Sequence, residues 1–192
     1  MPTGFQGLNS NQRYDCGCFG FVCGFSEGDL MANCKSFKPR ADKSSRVLIL
    51  GSMPGVKSLE KQEYYAHPQN RFWKVMGELC SEPSLADFPY EKRVETLLEN
   101  GFALWDVISK CRREGSLDSD IKDEKPNDIR GLLKKYPNIG TILLNGNKAF
   151  SSFKKHFPDL ILEYNCIKCP STSPANARYR LEDLVKEWET GL

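Results

Sequence analysis

RVLILGSMPG, residues 46–55, decides the fold. Val47, Leu48, Ile49 and Leu50 form a continuous apolar run, the pattern of a strand covered on both faces. Gly51, Ser52, Pro54 and Gly55 then stop it abruptly. Working outward, the same event recurs. GFALWDVI (101–108) and IGTILLNG (139–146) are apolar runs that end in polar residues, and LILEYNCIKC (160–169) reads as a fourth strand. Helical spacing fills the intervals. Phe72, Trp73, Val75, Met76 and Leu79 recur in NRFWKVMGEL (70–79), with Asn70 placed as an N-cap. Helices are also expected over 90–101, with Gly101 at its C-terminal end, over 127–137 with Ile129, Leu132, Leu133 and Tyr136 on one face, over 147–157 and over 180–189. Strands alternating with helices predict an α/β fold: a three-layer sandwich around a central four-stranded, mostly parallel sheet.

Composition narrows the class. The chain has 192 residues, 40% apolar and 27% charged, which fits one soluble domain. No apolar run is long enough to span a bilayer, so no membrane association is expected. A net charge of +2 announces no polyanion binder, although a local basic face can exist on a balanced protein. Eight cysteines without a secretory leader point to reduced thiols in an intracellular protein of cytoplasm or nucleus. Cys166 and Cys169 have chelating spacing, but three residues along a strand point to opposite faces, so no metal site is expected. Residues 1–40, rich in Gly, Phe, Asn and Cys, read as a disordered or non-native extension of a single domain over 41–192, with Met31 as a natural start.

In parallel sheets ligands bind beyond the carboxyl ends of the strands. The segments found there are GSMPGVKSLEKQEYYAHPQN, SKCRREGSLDSD, NGNK and PSTSPANAR. GSMPG has neither the glycine-lysine ending of a phosphate loop nor the GxGxxG of a dinucleotide site. Taken alone it is a tight turn. In context it opens a long loop carrying two tyrosines, His67 and Asn70.

GSMPGVKSLEKQEYYAHPQNRFW resembles the first motif of the uracil-DNA glycosylase superfamily, whose mismatch-specific branch carries GINPG. PSTSPANAR resembles the second motif. With ALWDV and GSLDS, the set is similar to family six, the hypoxanthine-DNA glycosylases, over about residues 46–190. The resemblance implies an enzyme that extrudes a deaminated base from DNA, hypoxanthine first, and hydrolyses its bond to deoxyribose. The implied enzyme needs no cofactor, acts on DNA as its partner, and is a monomer. Mismatch-specific action on uracil or thymine, and a non-catalytic nucleic-acid-binding module, are the alternatives.

The resemblance also implies roles. The asparagine that positions water in GINPG is replaced by Met53, which shifts the catalytic assignment to Asn70, where helix capping is the competing role. Gly51, Ser52 and Gly55 bring backbone amides, with Pro54 fixing the turn, to a base pocket that also holds Met53, Tyr65 as a stacking plane, and Asn145 on a base edge. Tyr64 and His67 are structural. Ser171, Thr172 and Ser173 are expected on phosphates, Pro174, Ala175 and Asn176 in a wedge, and Arg178 on phosphate or the opposite strand. Cys169 stands where relatives often carry His or Asn. Asp106, the nearest acid, is either a general base or a capping or buried-pair residue. The motif loops present no obvious carboxylate pair of the kind sugar glycosidases use.

Overall fold

The computed structural model describes residues 32–192. Val47–Gly51 (β2) lies between Phe102–Asp106 (β3) and Thr141–Asn145 (β6), and Asn165–Cys169 (β7) pairs with the outer edge of β6. All three pairings are parallel. Leu48, Ile49 and Leu50 are fully buried, as a central strand with both faces covered requires. Burial of each such side chain contributes about 1.5–3 kcal/mol.

The helices are Val56–Lys61 (α1), Phe72–Leu79 (α2), Tyr90–Glu99 (α3), Ile129–Lys135 (α4), Asn147–His156 (α5), Leu160–Glu163 (α6) and Leu181–Glu189 (α7). Their apolar stripes face the sheet. Phe72, Trp73, Val75 and Met76 of α2 are buried, as are Val94 and Leu97 of α3, Ile129, Leu132 and Leu133 of α4, and Leu184 and Trp188 of α7. Gly101 adopts φ +81° after α3, the left-handed conformation that favours glycine.

Three features depart from the sequence reading. LILEYNCIKC is not one strand: Leu160–Glu163 forms a helical turn before β7 begins at Asn165. Leu160 is buried while Leu162 is 90% exposed, so the alternation a strand needs is absent. GFALWDVI also divides, because the chain leaves the parallel sheet after Asp106. Ile108–Arg113 (β4) pairs antiparallel with Lys122–Pro126 (β5), inside the segment read as a loop. Third, Ala32–Lys35 (β1) pairs with β4 and completes a three-stranded sheet, β1-β4-β5. The expected extension over 1–40 therefore falls outside the described residues only as far as residue 31. From Ala32 the chain is packed, with Cys34 buried opposite Cys111.

Among the described residues no helix is long and apolar enough to cross a membrane.

Candidate active site

Register brings the strand ends level. Gly51 lies opposite Asp106, and Asn145 opposite Cys169. Beyond them opens a cleft of about 1160 Å³. It is lined by Gly51, Ser52, Met53, Pro54, Gly55, Tyr65, Asn70, Asn145, Ser171, Thr172, Ser173, Pro174, Ala175, Asn176 and Arg178. Every site residue expected from the sequence is thus in one concavity.

The GSMPG loop is held by its carbonyls. Val107 N–H donates to Gly51 O at 2.9 Å, Ile108 N–H to Ser52 O at 3.0 Å, and the Arg113 guanidinium to Pro54 O at 2.6 Å. The N–H groups of Ser52, Met53 and Gly55 have no acceptor among the described residues. They are unengaged donors on residues that line the cleft, and a developing anion needs such donors. Met53 is buried, so its thioether packs in the core. Ser52 Oγ donates to Asp118 Oδ1 at 2.6 Å.

Tyr65 sits at φ +54°, a conformation uncommon for a bulky residue and characteristic of functional sites. Phe72 stacks on its ring at 3.8 Å between centroids and 17° between planes. Its hydroxyl accepts a hydrogen bond from Asn145 Nδ2 at 3.1 Å. Burial and the nearby Asp106 carboxyl push this phenol well above its ordinary range. Tyr64 is buried and donates to Lys38 O at 3.2 Å, in keeping with its structural reading. His67 lines the cleft, is exposed, and accepts from Gln69 N–H at Nδ1.

Asn70 reaches the cleft as expected, but it stands one residue ahead of the N-cap of α2, which is Arg71. It lines the cleft, and its Oδ1 accepts from Phe72 N–H at 3.0 Å at the start of α2. The carbonyl half of the amide serves the helix, and the NH₂ half is a donor without a partner among the described residues.

Asn145 is spent differently from the sequence reading. Its Nδ2 donates to Tyr65 Oη and to Thr172 Oγ1, and its Oδ1 accepts from Thr172 N–H. It is a buried brace between two cleft walls. Thr172 is fully buried for the same reason, so its hydroxyl serves that brace instead of a phosphate. Pro174, Ala175 and Arg178 are exposed, at the tip of the loop. Cys169 is buried, and its thiol is pushed up to about 12 by burial and by Glu187.

Three supports were not legible in the sequence. Arg71 donates to the carbonyls of Ser173 at 3.0 Å, Asn176 at 2.7 Å and Tyr179, closing the 171–179 loop onto α2. Arg113 is fully buried beneath GSMPG. Ser36, inside the expected extension, donates to Asp106 Oδ2 at 2.7 Å. The only sequence signal was for Arg71, a charge at the start of an otherwise apolar helix face. Asp106 itself is buried, and its carboxyl is pushed up to about 7 by burial and by Asp118's charge, against the pull of Ser36 and Arg113.

Comparison with known proteins agrees with this layout. Residues 39–190 match the family model described as the uracil DNA glycosylase superfamily. The chain is 39% identical over 157 residues to a protein named hypoxanthine DNA glycosylase from Methanosarcina acetivorans, covering 81% of this chain and 95% of that one. It is 41% identical over 115 residues to one of the same name from Methanosarcina barkeri, covering 60% and 72%. An NMR solution structure of a Methanosarcina acetivorans protein assigned as a uracil DNA glycosylase superposes with a TM-score of 0.71 at 39% identity, covering 82% and 95%. With the strand-end cleft, its glycine-proline wall and its serine-rich loop in the family's order, the chain belongs to the uracil DNA glycosylase superfamily.

Proposed function

We propose that this protein is a monofunctional DNA glycosylase that hydrolyses the bond between a deaminated base, hypoxanthine first, and deoxyribose, leaving an abasic site. One observation carries the reading: GSMPG, Tyr65, Asn70 and the 171–178 loop surround a single cleft at the carboxyl ends of the sheet. The choice of hypoxanthine is supported by the names of the two Methanosarcina relatives and by Met53, which cannot orient water as an asparagine does.

The target nucleotide leaves the duplex at a cost of a few kcal/mol in lost stacking. Tyr65, backed by Phe72, supplies a plane for the base. The free N–H groups of Ser52, Met53 and Gly55 receive the negative charge that the departing base gathers. Asn70 holds the attacking water through its NH₂ group. On the loop wall of the cleft, Ser171, Ser173 and Arg178 contact phosphates, and Pro174, Ala175 and Asn176 fill the space that the base vacates. The enzyme works as a monomer on cellular DNA, in cytoplasm or nucleus.

End-labelled duplexes carrying one inosine or one uracil, followed by alkaline cleavage of abasic sites, test the reading. Scission at inosine is expected. Scission at uracil alone would replace hypoxanthine by a mismatch activity, and binding without scission would leave a non-catalytic module.

A further inference from the structure

Water that attacks the sugar carbon must give up a proton, and Asn70 is poorly placed to take it. Its Oδ1 accepts from Phe72 N–H, and the rest of its amide only donates. The acids lining the cleft are Asp106, Asp118 and Glu187. Asp118 and Glu187 are exposed residues, and Asp118 Oδ1 already accepts from Ser52. Asp106 is 3% exposed and ends β3 at the level of Gly51. Ser36 fixes its Oδ2 at 2.7 Å, while its Oδ1 has no donor among the described residues. A Cβ added to Gly51 would stand 2.6 Å from this Oδ1 and 3.1 Å from Tyr65 Oη. The carboxyl is therefore brought close to the pocket wall, at a point only glycine leaves clear.

We propose that Asp106 is the general base of the hydrolysis, with its carboxylate aimed by Ser36 as a positioning residue. The assignment rests on the glycosylase reading. The bond from the sugar's C1′ to the base nitrogen breaks, and its electron pair leaves with the base. Water oxygen bonds to C1′, and one water proton passes to Asp106 Oδ1. That proton then goes to the departed base anion, restoring the carboxylate and giving neutral base and an abasic sugar. Ser36 lies ahead of residues 39–190, so the site reaches beyond the family match to the segment after β1.

The groups facing Asp106 set its titration. Tyr64 and Tyr65 face it from the loop after α1, Asp118 from the β4–β5 connection, Arg113 from β4 and Ser36 from the segment after β1. Burial and Asp118 raise its affinity for a proton, while Ser36 and Arg113 lower it. The base must be ionised to act. The cleavage rate should therefore rise with pH through a midpoint near 7 and then level.

Single-turnover cleavage of an inosine duplex, measured from about pH 5 to about pH 9, tests this in wild type, Asp106→Asn, Ser36→Ala and Asp118→Asn. Asp106→Asn is expected to lose about 100-fold or more of the plateau rate and to lose the midpoint. Its affinity for a duplex carrying a tetrahydrofuran abasic analogue should be retained, which shows an intact fold. Ser36→Ala should move the midpoint to higher pH and keep most of the plateau, because the carboxylate has lost a donor. Asp118→Asn should keep the pH limb and move its midpoint to lower pH, because a neighbouring negative charge is gone. Asp106→Asn cutting at nearly the wild-type rate overturns the proposal, as does an unmoved midpoint in Ser36→Ala. Should Asp106→Asn fail to fold, the Ser36→Ala midpoint decides. A wild type that cuts neither inosine nor uracil would overturn the glycosylase reading as well, an outcome distinct from these.

Discussion

Asn145 and Thr172 hold each other through two hydrogen bonds, one in each direction. Thr172 N–H donates to Asn145 Oδ1 at 3.0 Å, and Asn145 Nδ2 donates to Thr172 Oγ1 at 3.1 Å. The pair joins the end of β6 to the loop after β7, and Asn145 extends it to Tyr65. Asn145→Ala should therefore lower stability by about 2–3 kcal/mol, since it leaves buried partners unsatisfied. Thr172→Val, which keeps the backbone bond, should cost about 1 kcal/mol. Urea unfolding of both variants measures the difference, and equal costs would contradict the brace.

Asn70 makes a hydrogen bond to the helix and has a proposed water-holding role, and substitution can separate the two. Asn70→Ala should cost about 1 kcal/mol of stability through the lost hydrogen bond to Phe72 N–H and should reduce cleavage of an inosine duplex far more than DNA affinity. Asn70→Asp keeps an acceptor for Phe72 N–H and loses the NH₂ donor. It should hold near wild-type stability while still failing in single-turnover cleavage. Full activity in Asn70→Asp would remove the water-holding role.

Arg71 is a fork that lysine cannot reproduce, because three carbonyls share one planar guanidinium. Arg71→Lys should loosen the 171–179 loop. Limited proteolysis should cut first within that loop, and affinity for duplex DNA should fall several-fold. An unchanged cleavage pattern would contradict this.

Glu124 of β5 anchors α5. Its carboxylate accepts from Lys148 at 2.6 Å, Lys155 at 3.1 Å and Ser152 at 3.0 Å. Burial alone would raise its proton affinity, but these bonds, led by Lys148, hold it down at about 2. A group whose folded value is depressed stabilises above its unfolded value, near 4.5, and loses that contribution as pH falls toward 2. Glu124→Gln should cost about 2 kcal/mol at neutral pH, and the gap from wild type should close on acidification across that window. Denaturation at pH 7 and near pH 3 gives the comparison.

The parallel sheet was legible because its strands are covered on both faces and so read as unbroken apolar runs, Leu48 to Leu50 being the clearest. The helices were legible through their stripes. The β4–β5 hairpin was not, since SKCRR and KDEKP show little alternation and expose Lys110, Lys122 and Lys125. ANCK, four residues long, carries no period at all. In the site, the motif loops could be read from their residue types and their place after strands. The bond from Ser36 to Asp106 spans seventy positions and is dictated by tertiary packing alone. Asn145 was recognised as a site residue, but its partners depend on the approach of Thr172, which no local pattern encodes.

Asn70 and Arg71 are consecutive, and this adjacency has a mechanical consequence. Arg71 grips the 171–179 loop with its guanidinium and, through its own N–H, Thr172 O at 3.1 Å. Between the two residues lies one rigid peptide plane with few soft torsions. A displacement of the 171–179 loop is thus passed to Asn70 as a lever passes it. The seating of the 171–179 loop and the placing of the Asn70 side chain in the cleft therefore become one event.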